Sequence, residues 1–93
     1  MVTQRIVVSD ALGLHLRPAG KISETSLEYQ CKIQVQKGTQ IANAKSVLGL
    51  LAARIQQGDE IEIICDGVDE EDALAAVVKV IQEGIGLPPK ELS

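Results

Sequence analysis

The residues best able to do chemistry here lie together in Asp10-Ala11-Leu12-Gly13-Leu14-His15-Leu16-Arg17-Pro18-Ala19-Gly20, which holds the only histidine of the chain and an arginine two positions on. Proline fits the first helical turn, where its missing N–H would have had no intrahelical partner. Pro18 therefore predicts a helix beginning near Leu16, with His15 at or beside its N-cap. His15 is then set among unpaired backbone N–H groups. Those donors, the positive end of the helix dipole and Arg17 favour an anion at this place and disfavour a protonated imidazole. A neutral imidazole can take a phosphoryl group on a ring nitrogen, and the product's negative charge would enter surroundings suited to it. By position alone, a lone histidine at a helix start is more often a surface or capping residue than a nucleophile.

A second stretch, Lys45-Ser46-Val47-Leu48-Gly49-Leu50-Leu51, carries a hydroxyl at a helix start. The Ser46 side chain can accept from a backbone N–H two or three residues on, which predicts an N-cap for a short helix from Val47 to about Arg54. Capping alone would account for Ser46. Val47, Leu48, Leu50 and Leu51 are too many apolar residues for one buried stripe, so some are expected at the surface as a candidate docking patch.

These two strings, in this order and at this offset in a chain of 93 residues, resemble the two signature segments of the HPr family, the histidine-containing phosphocarriers of the bacterial phosphoenolpyruvate-dependent phosphotransferase system. Gly13-Leu14-His15-Leu16-Arg17-Pro18-Ala19 is similar to the family's active-site motif, and the segment around Ser46 to its regulatory serine; the likeness spans essentially the whole chain. It implies that phosphorylated enzyme I donates a phosphoryl group to His15, with Nδ1 the expected acceptor, and that His15 passes it to enzyme IIA proteins for sugar uptake. Arg17 would balance phosphate charge beside Pro18, and Ser46 would be the target of a dedicated ATP-dependent kinase, the HPr kinase/phosphorylase. Val47, Leu48 and Leu51 would meet the partners. The implied protein is a covalent carrier, not an enzyme, and monomeric. A nitrogen-branch phosphocarrier, or a purely regulatory HPr-like protein acting through Ser46, is the alternative; the second has no need of His15. The chain departs from common family patterns at Leu16, Gly20, Leu27, Gly49 and Arg54.

Length and composition limit what can position these residues. Ninety-three residues leave room for one core, burying roughly 60–65% of the surface an unfolded chain exposes. The expected division is a domain over 1–86 and a tail over 87–93. There is no Phe or Trp and only one Tyr, so the core must be aliphatic and base stacking is unavailable. A formal net charge of −4 without a basic cluster argues against nucleic acid and against a membrane surface as partners. Met1 to Arg5 shows no charged region leading into an apolar run, and no stretch approaches the roughly 20 apolar residues of a spanning helix; a soluble, cytoplasmic protein is expected. Cys31 and Cys65 fall at inward positions of alternating segments, as buried reduced thiols and not a disulfide or metal pair. No cofactor motif and no grouping with metal-ligand spacing occurs.

Strands are predicted at Val2 to Val8, Cys31 to Gln36, Thr39 to Ala44 (an edge) and Glu60 to Asp66, from period-two alternation bounded by Lys37-Gly38 and Gln57-Gly58-Asp59. The helix over about Leu16 to Glu28 would pack Leu16, Ala19, Gly20, Ile22, Ser23, Ser26 and Leu27 inward and leave Arg17, Lys21, Glu24, Thr25 and Glu28 in solvent. A last helix starts in the acidic run Asp69-Glu70-Glu71-Asp72, buries Ala73, Leu74, Val77, Val78 and Ile81, and stops at Gly84, Gly86 and Pro88-Pro89. Four strands with polar outer positions and three one-faced helices make an α+β two-layer open sandwich, helices on one face. The resemblance adds that the sheet is antiparallel.

Overall fold

Alternation of β-branched and polar residues produces strands whose apolar side chains all turn one way. In the computed structural model, which describes residues 1–87, these are β1 (Val2–Val8), β2 (Lys32–Lys37), β3 (Gln40–Asn43) and β4 (Glu60–Asp66). A two-residue β5 (Gly86–Leu87) adds to the four predicted strands. The order is β3-β2-β4-β1-β5, antiparallel throughout, with β3 at the edge. The register sets Ile6 opposite Ile61, Val35 opposite Ile63 and Ile33 opposite Cys65, so one face carries the core. A slip of one residue would turn that whole set to solvent. Of the expected tail over 87–93, Leu87 belongs to β5, and the remainder, with Pro88 and Pro89, lies outside the described residues.

Three helices cover the apolar face: α1 (Leu16–Ser26), α2 (Val47–Ala52) and α3 (Glu70–Gly84). α1 buries Pro18, Ala19, Ile22, Ser23 and Ser26, mostly small residues that let it lie close against α3 and α2. Leu16 and Leu27, predicted on that buried face, are instead 67% and 64% exposed. Leu16 is the first helical residue and Leu27 the C-cap, so both project past the ends of the buried stripe. α3 buries Ala73, Val77 and Ile81, with Leu74 and Val78 partly covered.

The acidic run does more than complement a dipole. Asp69 caps no N–H of its own helix; its carboxylate accepts from the backbone N–H groups of Gln30 and Cys31 at 2.8 and 2.9 Å, tying the entry of β2 to the start of α3. Glu70 accepts from the Gly67 N–H at 3.1 Å and pairs with the N-terminal ammonium at 3.0 Å. Cys31 and Cys65 are both buried and free, as expected. Burial, chiefly, pushes the Cys65 thiol up to about 12 and raises Cys31 as well, so both stay protonated and unreactive at neutral pH. No described helix is long and apolar enough to cross a membrane.

Candidate functional site

The loop from Ser9 to Leu14 is held at both ends before it reaches the histidine. The backbone N–H groups of Ser9 and Asp10 both donate to the Ile85 carbonyl, at 2.7 and 3.1 Å, which hangs the loop on the C-terminal end of α3. The Asp10 carboxylate then accepts from Leu12 N–H at 2.8 Å, an Asx-type turn. Gly13 follows at φ +65°, donating to the Asp10 carbonyl at 2.9 Å. A Cβ on Gly13 would stand 2.5 Å from the Ile55 carbonyl oxygen, so the chain passes that segment as only glycine can. Leu14 is buried and donates to the same Ile55 carbonyl at 2.9 Å. The next residue is His15.

His15 is the N-cap of α1, extended at φ −107° and ψ −173°, and its side chain makes no capping hydrogen bond. Its carbonyl accepts the first helical bond from Ala19 N–H at 3.0 Å. Pro18 has no N–H to offer and is buried, so it sets the helix start without removing a donor. Leu16 and Arg17 N–H are then the first-turn donors without a partner among the described residues. The imidazole is half-buried and opens into a cleft of about 420 Å³. Asp10 and Leu12 from the loop, Arg17, Pro18 and Lys21 from α1, and Glu83 and Gly84 from α3 complete its walls.

His15, Arg17 and Pro18, all predicted site residues, thus share one cleft. Ser46, Val47, Leu48 and Leu51 do not line it. Ser46 is the N-cap of α2, its Oγ accepting from Gly49 N–H at 3.0 Å as the sequence predicted. It sits beside the middle of α1, where Ser23 Oγ donates to the Lys45 carbonyl at 2.9 Å. On α2, Leu50 is fully buried and Leu48 is 80% exposed, while Val47 and Leu51 are partly covered. Sequence reasoning assigned no role to Lys21 and did not single out Glu83. Lys21 had a signal in its i+4 spacing from Arg17 on one helix face. Glu83 had none, since it arrives through the packing of α3 on α1.

The chemistry available follows from these groups. A ring nitrogen in an open cleft, with unpaired N–H donors and a guanidinium beside it, can attack phosphorus and then hold the transferred anion. The buried thiols offer no competing nucleophile. No group of three His, Cys, Asp or Glu among the described residues is placed to hold a metal ion.

Comparison with known proteins follows the same lines. Residues 2–83 match the family described as the PTS HPr component phosphorylation site. The phosphocarrier protein HPr of Lysinibacillus sphaericus is 32% identical over 83 residues, 89% of this chain and 94% of that protein. Among solved structures, a mycoplasma histidine-containing phosphocarrier protein superposes with a TM-score of 0.87 at 27% identity, covering 88% of this chain and 93% of that one. HPr from Thermoanaerobacter tengcongensis superposes with a TM-score of 0.84 at 32% identity, over 89% and 93%.

Proposed function

The chain belongs to the HPr family, phosphocarriers of the phosphotransferase system, and on that premise we propose that His15 takes a phosphoryl group from phosphorylated enzyme I and passes it to enzyme IIA proteins for sugar uptake. The Nδ1 lone pair attacks phosphorus, an N–P bond forms, and the bond from phosphorus to the donor breaks. The reverse exchange delivers the group to the next carrier. Arg17 balances the charge of the phosphoryl group in both transfers, and Pro18 fixes the helix start that presents the two unpaired N–H groups. What carries this reading is one juxtaposition: His15 is the N-cap of α1 and shares an open cleft with Arg17. The chain acts as a cytoplasmic monomer, with residues 1–86 as the carrier domain and 87–93 as a tail.

Regulation and docking are assigned to the second helix. Phosphorylation of Ser46 by an HPr kinase/phosphorylase would set roughly −1.5 to −2 charge at the edge of the surface offered by Val47, Leu48 and Leu51. The exposed Leu48 supports that surface as the one enzyme I and the enzyme IIA proteins meet.

The test is incubation with enzyme I and phosphoenolpyruvate. The expected product is acid-labile, base-stable phosphate on the wild-type protein and none on His15→Ala, with the fold intact. Normal labelling of His15→Ala would falsify the assignment. Onward transfer to a panel of enzyme IIA proteins then separates the sugar branch from the nitrogen branch. A protein that enzyme I leaves unlabelled, but that an HPr kinase/phosphorylase with ATP labels on Ser46, would be a regulator instead.

A further inference from the structure

Lys21 follows Arg17 by one helical turn, and the two cations line the cleft into which His15 opens. Glu83, from the last turn of α3, lines the same cleft. Lys21 and Glu83 also share the adjoining groove of about 330 Å³ between α1 and α3, where Pro18 and Gly84 form the common wall. Both side chains belong to exposed residues, and neither forms an ion pair within 4.0 Å among the described residues. Around His15 the cleft therefore holds two cations, Arg17 and Lys21, and two carboxylates, Asp10 and Glu83. With a neutral imidazole these charges cancel; a phosphoryl group of roughly −1.5 to −2 upsets the balance. The group then gains from each cation and loses from each carboxylate.

We propose that Lys21 is a second phosphate-facing cation of this site and that Glu83 opposes it, the pair setting how firmly His15 holds its phosphoryl group. This rests on the carrier reading of His15. A carrier must bind the group well enough to take it and weakly enough to release it. Arg17 alone, with the helix N–H groups, pulls in one direction. Glu83 supplies a counterforce from a different element, so the retention of phosphate depends on how α3 is seated against α1 as well as on the histidine's own helix. Lys21 acts at a distance set by its flexible stem, through charge and not through a fixed bidentate contact.

Because the chain has one histidine, phosphoramidate can label it without any partner protein: the imidazole nitrogen attacks phosphorus, the N–P bond forms and ammonia leaves. The last protonation of the phosphoryl group is then followed by phosphorus NMR across pH. A neighbouring cation favours the dianion and lowers that midpoint, and a neighbouring carboxylate raises it. Lys21→Met is expected to raise the midpoint by about half a pH unit at low salt, the size expected of one neighbouring charge screened by a mostly aqueous cleft. Glu83→Gln is expected to lower it by a similar amount, and Lys21→Arg to leave it in place. Both shifts should shrink in 0.5 M salt. With enzyme I as donor, Lys21→Met should shift the transfer equilibrium about threefold toward the donor, and Glu83→Gln should shift it toward this protein. A midpoint unmoved by either substitution, or moved in the same direction by both, overturns the proposal. Failure of enzyme I to label the wild-type protein overturns the carrier reading itself, and is told apart because the phosphoramidate titration does not use enzyme I.

Discussion

At the scale of single residues, the site separates groups that act by charge from groups that act by shape. Arg17 is exposed on α1 and makes no ion pair among the described residues, so its removal costs the fold little. Arg17→Ala should leave stability within about 0.5 kcal/mol and slow phosphoryl transfer on the order of a hundredfold. Stopped-flow transfer from enzyme I beside urea melts measures both; unchanged transfer would mean that the Leu16 and Arg17 N–H groups suffice. Ser46 presents the opposite balance, because its hydroxyl already caps α2. Aspartate caps a helix about as well as serine. Ser46→Asp should therefore melt within about 0.5 kcal/mol of the parent while binding enzyme I more weakly, its charge facing desolvation at the aliphatic surface. Isothermal titration with equal affinity for both proteins would leave Ser46 as a cap and nothing more.

At the scale of elements, two loop positions hold left-handed backbone with opposite chemical suitability. Gly13 has φ +65° and its missing Cβ clears the Ile55 carbonyl. Gly13→Ala should cost about 2 kcal/mol or more, and it should slow transfer as well, because the displaced loop carries His15. Arg54 has φ +52° just past the C-cap of α2, a position where glycine is usual. Its carbonyl accepts from Lys37 Nζ at 2.8 Å, a bond that glycine would keep. Arg54→Gly should stabilise the protein by about 0.5–1 kcal/mol, read as a higher urea midpoint with transfer unchanged. A lower midpoint would show that the arginine side chain contributes more than its backbone strain removes. The resemblance marked Arg54 as a departure, and the structure supplies its physical meaning.

At the scale of the whole molecule, three carboxylates fasten distant segments and are all held below their ordinary values. Asp69 is lowered chiefly by the backbone N–H of Gln30, Glu70 by that of Gly67, and Asp59 by that of Gln56 with help from Lys37. A carboxylate with a depressed folded value stabilises the fold fully above its unfolded value and loses that contribution as pH falls through the folded one. The ordinary values are 3.8 for Asp and 4.5 for Glu. The urea midpoint should therefore stay level from neutral pH down to about 5 and drop steadily below that, with Asp69→Asn showing a shallower acid slope. A midpoint constant down to pH 3 would contradict the role given to these anchors.

Local patterning was enough for much of this protein. Period-two alternation placed β1 and β4 at their observed limits, Pro18 placed the start of α1, and Ser46 placed the cap of α2, because each rests on residues within a few positions of one another. The pairing of His15 with Arg17 was legible for the same reason. Its limits show at Leu16 and Leu27, whose helical spacing matches the buried face although the helix ends before they are covered. Strand order, the short β5, the grip of Asp69 on the start of β2, and the arrival of Glu83 beside Lys21 needed the tertiary structure. Each joins segments tens of residues apart, through backbone groups and close approaches that carry no sequence period. The nearness of His15 and Arg17 could thus be read along one turn of helix, whereas the charge across the cleft from them was decided by how α3 packs on α1.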